Sequence, residues 1–346
     1  EPDPGREKGK DGYQRKVEIV WWHSAGGNVN GYTVPLENSD PVNISQSDGS
    51  KGFEVGIWPS HYSLRVRKDE KGKVCHVHVG LGHVGYDDID ADGMIDGLYD
   101  GRGGGRLGPR ILFEGRFVKV EDSRTVFNFA PNHTPWKWGV GREVRYVFQE
   151  GAWKAWDPKD PRPTRWKPVD PKDRARAERP PRKFGPEWEK VGDGYRRTVE
   201  VPVTQPAGAG ARTYMVPLEH GVSVFVREYD GNRGVAFGGE PSENQVEILK
   251  DEKGKVRQAS AWIAGSFYVD LDADGMIDAL SDNRNGKRVS KIFFEGRLVG
   301  VEDSEEGFRF GPDDTPRKWG VGRGVRYVFE NGAWRAEDPK GPKPRP

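Results

Sequence analysis

The chain repeats itself. Asp88-Ile-Asp-Ala-Asp-Gly-Met-Ile-Asp96 returns as Asp270-Leu-Asp-Ala-Asp-Gly-Met-Ile-Asp278, 182 positions later. The same offset joins Lys68–Val74 to Lys250–Val256, Val34–Glu37 to Val216–Glu219, and Asp11–Tyr13 to Asp193–Tyr195. Beyond the Asp-rich stretch the offset drops to 181: Phe113–Arg116 returns at Phe294–Arg297, and Val144–Phe148 at Val325–Phe329. A register this constant means one structural unit written twice. The predicted units are residues 11–156 and 193–337, with a Pro-rich, charged linker over 157–192 and short tails over 1–10 and 338–346.

Each unit reads as strands. Ser63–Arg67 and Val74–Val79 flank a Lys-Gly turn, and Glu143–Phe148 runs through Glu150-Gly151 into Ala152-Trp153. The second copy of that turn is Asn331-Gly332, a strong tight-turn signal. No long stretch carries a helical period. The 47 Gly and 26 Pro favour turns and extended connections. The expected fold is therefore all-β, with two tandem homologous β-sandwich or small-barrel modules. Only 34% of residues are hydrophobic, so 12 Trp, 11 Tyr and 15 Phe must supply much of the buried area. Trp138/Trp319 and Trp153/Trp334 recur at matching places, as core anchors would.

Asp-x-Asp-x-Asp-Gly-x-x-Asp carries chemistry at every position. Carboxylates at positions 1, 3 and 5 converge on one hard cation, Gly at 6 permits the bend, and the carbonyl at 7 adds an oxygen. The expected ligands are Asp88, Asp90, Asp92, Met94 (main chain) and Asp96 in the first copy. In the second they are Asp270, Asp272, Asp274, Met276 and Asp278. Four like charges in nine residues require a counter-ion, so two calcium ions are expected. The alternative for such a stretch is an Asp-rich turn bonded to its own backbone.

These loops resemble the EF-hand-like loops of secreted bacterial proteins, namely dockerin-type repeats and the Asp-rich hairpins of FG-GAP blades. The resemblance spans about a dozen residues per copy and implies a calcium site outside the cell. It departs at position 12, where the bidentate Glu of an EF-hand is replaced by Tyr99 and Ser281. Asp100 and Asp282, one place later, are the nearest candidates to close the shell. In its tandem layout the chain also resembles surface-fibre subunits of environmental bacteria.

Other constellations carry weaker signals. His76 and His78, two apart on a strand near Cys75 and His83, have zinc-like spacing, but the second copy has Gln258 and Ser260 there. Ordinary strand histidines are the plainer reading. Glu114 and Glu295, with Glu121-Asp122 and Glu302-Asp303, offer carboxylate pairs that charged hairpins explain as well as acid–base chemistry does. No nucleophile elbow, P-loop or metalloprotease signature occurs, and no enzyme is expected. Trp136, Trp138, Trp153, Trp319 and Trp334 could form a sugar-stacking platform, but Trp21, Trp22, Trp58, Trp136 and Trp156, with no Trp counterpart, are the better candidates for contact with another molecule. Asn43-Ile-Ser45 and Asn132-His-Thr134 match the N-glycosylation pattern.

Composition bounds the partners. Lys+Arg is 55 and Asp+Glu 54, so a formal net charge of +1 makes no electrostatic case for nucleic acid. No apolar run is long enough for membrane insertion as a helix. The single cysteine, Cys75, excludes an intramolecular disulfide, so a small module needs another staple. A start at Glu1 rather than Met fits a processed chain that has lost its signal peptide, or a fragment.

The expected function is structural: a secreted, calcium-stabilised subunit assembling head to tail with itself into an extracellular fibre or bacterial surface layer. The alternative is a calcium-dependent glycan-binding or adhesive protein. The tails echo the linker, with Lys8–Tyr13 resembling Lys190–Tyr195. The expected assembly contact is a strand around Asp11–Val20 added to a neighbour's second module, with Tyr13, Val17 and Ile19 setting register.

Overall fold

A computed structural model describes residues 7–9, 12–24, 27–36, 40–47, 52–57, 61–102, 108–119, 138–141, 144–149, 151–156, 186–192, 194–204, 210–240, 244–283, 289–301, 319–322 and 325–337. Trp58, Trp136, Asn132, Glu121, Asp122, Glu302 and Asp303 lie outside the described residues, as do most of the linker and tails.

In the first repeat the strands are β1 (Glu7–Gly9), β2 (Gly12–Ser24), β3 (Gly27–Val34), β4 (Val42–Ser47), β5 (Phe53–Ile57) and β6 (Tyr62–Lys68). They continue as β7 (Val74–Leu81), β8 (Val84–Asp88), β9 (Gly97–Asp100), β10 (Gly108–Phe113) and β11 (Arg116–Lys119). A second set follows: β12 (Trp138–Gly141), β13 (Val144–Gln149) and β14 (Ala152–Trp156). The second repeat begins with β15 (Glu189–Val191), β16 (Gly194–Thr204), β17 (Ala211–Pro217), β18 (Ser223–Tyr229), β19 (Gly234–Glu240) and β20 (Asn244–Lys250). It goes on through β21 (Val256–Ile263), β22 (Ser266–Asp270), β23 (Ala279–Asp282), β24 (Val289–Phe294) and β25 (Arg297–Val301). It closes with β26 (Trp319–Gly322), β27 (Val325–Glu330) and β28 (Ala333–Glu337). Strand for strand, the second repeat follows the order of the first.

Each repeat folds as an antiparallel meander, because short turns let every strand pair with its predecessor. The alternation is read directly from the sequence: Tyr62-Ser-Leu-Arg-Val-Arg-Lys68 and Asn244-Gln-Val-Glu-Ile-Leu-Lys250 both bury every second residue through their first five positions. Such a sheet has one apolar face and needs a second layer. The other repeat supplies it. Strands β5, β6 and β7 pack across β19, β20 and β21. One core holds Leu64, Val66, Val79, Tyr86 and Leu98 together with Tyr214, Phe237, Val246, Ile248 and Tyr268. The all-β class is as expected from sequence, but in place of a separate sandwich or barrel per module the two repeats form two layers around one core. Each meander's apolar face is covered by the other's, with the two meeting edge to edge in one sheet.

Two junctions join the layers edge to edge. Strand β2 pairs antiparallel with β16 over nine positions, from Tyr13 opposite Val203 to Trp21 opposite Tyr195. At the centre Val17 faces Val199, its own equivalent 182 residues on. At the far end Arg116 of β11 faces Arg297 of β25, again an equivalent pair, with the Leu298 N–H donating to the Gly115 carbonyl at 2.9 Å. Phe117 stacks on Phe293 there, with centroids 5.2 Å apart. A local two-fold axis therefore passes through both junctions. Twenty-two strands form one continuous sheet, and β12–β14 and β26–β28 form two separate three-stranded sheets.

The segment expected to reach a neighbouring molecule is thus committed within the chain. Strand β2, which carries Tyr13, Val17 and Ile19, also pairs with β1 and β3. The echo between Lys8–Tyr13 and Lys190–Tyr195 is the recurrence of one hairpin, β1–β2 and β15–β16.

A shared core predicts shared unfolding. Leu64→Ala should cost about 2–5 kcal/mol, the range for emptying a buried leucine site. Urea unfolding followed by circular dichroism and Trp fluorescence should still give one transition for both repeats. Two resolved transitions would contradict a common core.

Candidate metal centres

Each Asp-rich loop bridges two strands of its meander, β8 to β9 in the first repeat and β22 to β23 in the second. The first Asp ends a strand, so its position is set by the sheet. The last Asp returns to that sheet: the Asp96 N–H donates to the Asp87 carbonyl at 2.8 Å, and the Asp278 N–H to the Val269 carbonyl at 2.9 Å. Between them the chain must turn tightly, and Gly93 and Gly275 sit at φ 90° and 92°. A side chain at Gly275 would also meet the Leu81 carbonyl of the other repeat, 2.8 Å from its β-carbon.

The carboxylates organise the loop through its own amides. Asp88 accepts from the N–H groups of Asp92 at 3.2 Å and Gly93 at 2.9 Å, and Asp96 accepts from Ile89 at 2.7 Å. Asp270 accepts from Asp274 at 3.2 Å and Gly275 at 2.8 Å, and Asp278 from Leu271 at 2.7 Å. Oxygens of Asp88, Asp90 and Asp96 all lie within 4.8 Å of one another, as do those of Asp270, Asp272 and Asp278. These two Asp triads could hold metal ions. Asp92 and Asp274 stand outside the triads, exposed, each accepting from the N–H of the following Met, at 2.7 Å from Met94 and 2.6 Å from Met276.

The triads are short of positive charge. Burial first, and the neighbouring carboxylates after it, push Asp88 and Asp270 up to about 8 and Asp278 to about 9. Burial also raises Asp90, and lifts Asp96 far above the usual carboxylate range. Amide donors oppose the rise without cancelling it. A cation that entered would restore the charged forms.

Asp100 does not turn to the triad. Arg102 takes it, with Nε and Nη2 donating to its two oxygens at 3.0 and 2.9 Å. That pairing holds the Asp100 carboxyl below its ordinary range. Arg102 also reaches the other repeat, where Nη1 donates to Asp274 Oδ2 at 3.0 Å.

Two sets of residues around the loops escape a motif-based reading. The first is the small sheet. The indole N–H of Trp153 donates to the Asp96 carbonyl at 2.9 Å, and that of Trp334 to the Asp278 carbonyl at 3.0 Å. Ile89, the second residue of the loop, is fully buried with Tyr146, Phe148 and Trp153, and Leu271 with Tyr327, Phe329 and Trp334. Gly151 and Gly332, in the β13–β14 and β27–β28 turns, are at φ 75°, and a β-carbon there would lie 2.9 Å from Asp90 Oδ2 and 2.5 Å from Asp272 Oδ2. The expected core role of Trp153 and Trp334 is met, and it is exercised directly over the loops. Nothing is described for the side chains of Trp138, Trp319, Trp21, Trp22 and Trp156.

The second set is a pair of tyrosines. Tyr86, on β8, donates its hydroxyl to the Gly275 carbonyl at 2.8 Å and accepts from the Ile277 N–H at 2.9 Å. Tyr268, on β22, donates to the Gly93 carbonyl at 2.8 Å and accepts from the Ile95 N–H at 3.1 Å. Each repeat thus grips the other's loop. The signal was present, since Tyr86 and Tyr268 recur at the 182 offset, two places before the first Asp.

The remaining candidates do not converge in the same way. His76 Nε2 and His78 Nδ1 share one oxygen of buried Asp87, at 2.7 and 3.1 Å. They do face one way, but Cys75 donates to the Arg67 carbonyl and His83 lies against His61, 5.1 Å between ring centroids. Among the described residues, the clusters with metal-ligand spacing are the two Asp triads. Glu114 and Glu295 are exposed turn residues at φ 49°, each inside a tight hairpin. Asn43 is half-buried on β4, its side-chain oxygen accepting from Thr33 at 3.2 Å.

Comparison with protein-family models finds no match, and comparison with curated proteins finds none.

The raised carboxyls give the metal-free protein a definite pH response. A carboxyl whose folded pKa exceeds its unfolded value of 3.8 stabilises the fold fully below 3.8. That contribution disappears as pH rises through the folded value, here about 8 for Asp88 and about 9 for Asp278. In EGTA, the melting temperature measured by calorimetry should fall steadily from about pH 5 to about pH 9. A flat or rising profile would show that the triads are ionised without a cation.

Proposed function

We propose that this chain is a calcium-stabilised structural protein that works outside the cell as a self-assembling subunit. The observation that supports it is the placement of both Asp triads at the seam between repeats, under backbone, indole and tyrosine groups. A cation held there serves architecture. Oxygen ligands from Asp carboxylates suit calcium, and sites of this kind in extracellular modules need affinities of only about 10⁻⁴–10⁻³ M. Two ions are expected, one per loop, with Asp88, Asp90 and Asp96 holding the first and Asp270, Asp272 and Asp278 the second. Asp92 and Asp274 and the main-chain oxygens of Met94 and Met276 are the further ligands the motif offers.

Each ion binds the folded state, so it stabilises by mass action, about 2.7 kcal/mol per site when calcium is 100-fold above Kd. EGTA should lower the melting temperature near pH 7.5. Asp90→Ala and Asp272→Ala should each remove part of the calcium-dependent increment, and the double variant all of it. An EGTA melting curve identical to that in calcium would refute the reading.

Assembly follows from the same seam. Repeat 1 of one molecule can meet repeat 2 of the next through the pairing it otherwise makes internally, while the linker crosses between the two bodies. Exchange that does not close into a ring gives an open, head-to-tail filament. Negative-stain microscopy of concentrated protein in calcium should show filaments. A disulfide between Val17→Cys and Val199→Cys, in a Cys75→Ser background, should lock the internal pairing and leave single particles. The two positions are directly opposite on adjacent antiparallel strands, within disulfide reach. Filaments grown from the locked chain would place the contact elsewhere.

A further inference from the structure

We infer that the two loops bind calcium cooperatively, each preparing the other through the crossed tyrosines. The inference rests on the calcium reading above and adds to it a coupling between the sites. The motif makes the carbonyl of Met94 a ligand. Its aim is set by the peptide units on either side, and those are the groups Tyr268 holds: the Gly93 carbonyl at 2.8 Å and the Ile95 N–H at 3.1 Å. Tyr268 lies two residues before Asp270, the first carboxylate of the other loop, on the same short strand β22. The reverse arm is equivalent. Tyr86, two residues before Asp88 on β8, holds the Gly275 carbonyl and the Ile277 N–H around Met276.

Each loop is therefore shaped by a side chain anchored beside the other loop's first ligand. Both rings are fully buried, Tyr86 at 0% and Tyr268 at 1% exposure, so neither hydroxyl has a path to water as a substitute partner. An ion at Asp270 fixes the end of β22, and with it the hydroxyl that orders Gly93–Ile95. The second ion then meets a loop whose ordering has already been done, which is positive coupling without any large movement. By linkage the effect is equal in both directions.

The experiment is calcium titration of the full chain by calorimetry, after stripping with EGTA and dialysis. Three proteins are compared: the natural sequence, Asp90→Ala, and Tyr86→Phe combined with Tyr268→Phe. With the first loop disabled, the second should bind calcium about five-fold or more weakly than in the natural chain. Tyr86→Phe with Tyr268→Phe in the otherwise natural chain should bring both sites to that weaker affinity and abolish the dependence of one on the other. Phenylalanine keeps the buried ring, and circular dichroism confirms the fold of each variant. No calcium binding by the natural chain would overturn the metal reading and this inference with it. Binding at two sites whose affinities ignore Asp90→Ala would overturn the coupling alone.

Discussion

An eleven-strand meander with one apolar face needs a second surface to cover that face, and the rest of this structure is the answer to that constraint. Duplication provides a second face with the same pattern, and burying the two against each other removes both from water at once. The layers are then joined at β2–β16 and β11–β25 by backbone hydrogen bonds, which also remove the exposed edges that a meander would leave at its ends. The seam created in this way is where the Asp loops sit. Charge is brought into a region that hydrophobic burial has already made dry, which explains why the carboxyls are displaced so far from their ordinary range.

The loops are held from three directions. Their own amides cap the carboxylates from inside, the small sheet covers them with Trp153 or Trp334, and the opposite repeat enters with Tyr268 or Tyr86. Each direction uses backbone groups of the loop that would otherwise be left without partners in a buried setting. The Asp triads are in this sense part of the core. Arg102 adds a further link between the repeats, since it bonds both Asp100 of its own repeat and Asp274 of the other.

Much of this was legible in the sequence because it is local. Alternation of apolar residues, turn glycines and the spacing of Asp residues all act within a few positions, so the all-β class and the loops could be read directly. What could not be read is which surface covers which. The Tyr86 hydroxyl finds its acceptor 189 residues away, and nothing near Tyr86 distinguishes it from an ordinary buried ring. The same holds for β2: its pattern identifies a strand, but the partner at its outer edge depends on how two repeats are arranged. The residue after position 12 stayed open for a related reason, since Asp100 has the right chemistry and Arg102, only two residues on, bonds it.

Val17 opposite Val199, and Arg116 opposite Arg297, are pairs of equivalent residues facing across an axis. Identical subunits make such pairs wherever a two-fold axis crosses their boundary. The fold therefore has the geometry of a symmetric pair of half-length units carried on one chain. Carrying both units on one chain frees them from having to be identical while keeping them in permanent register. His76 and His78, where the second repeat has Gln258 and Ser260, show that freedom. The residues at the axis and the Asp residues of the two loops match between the repeats, as a fit of each to its own image requires.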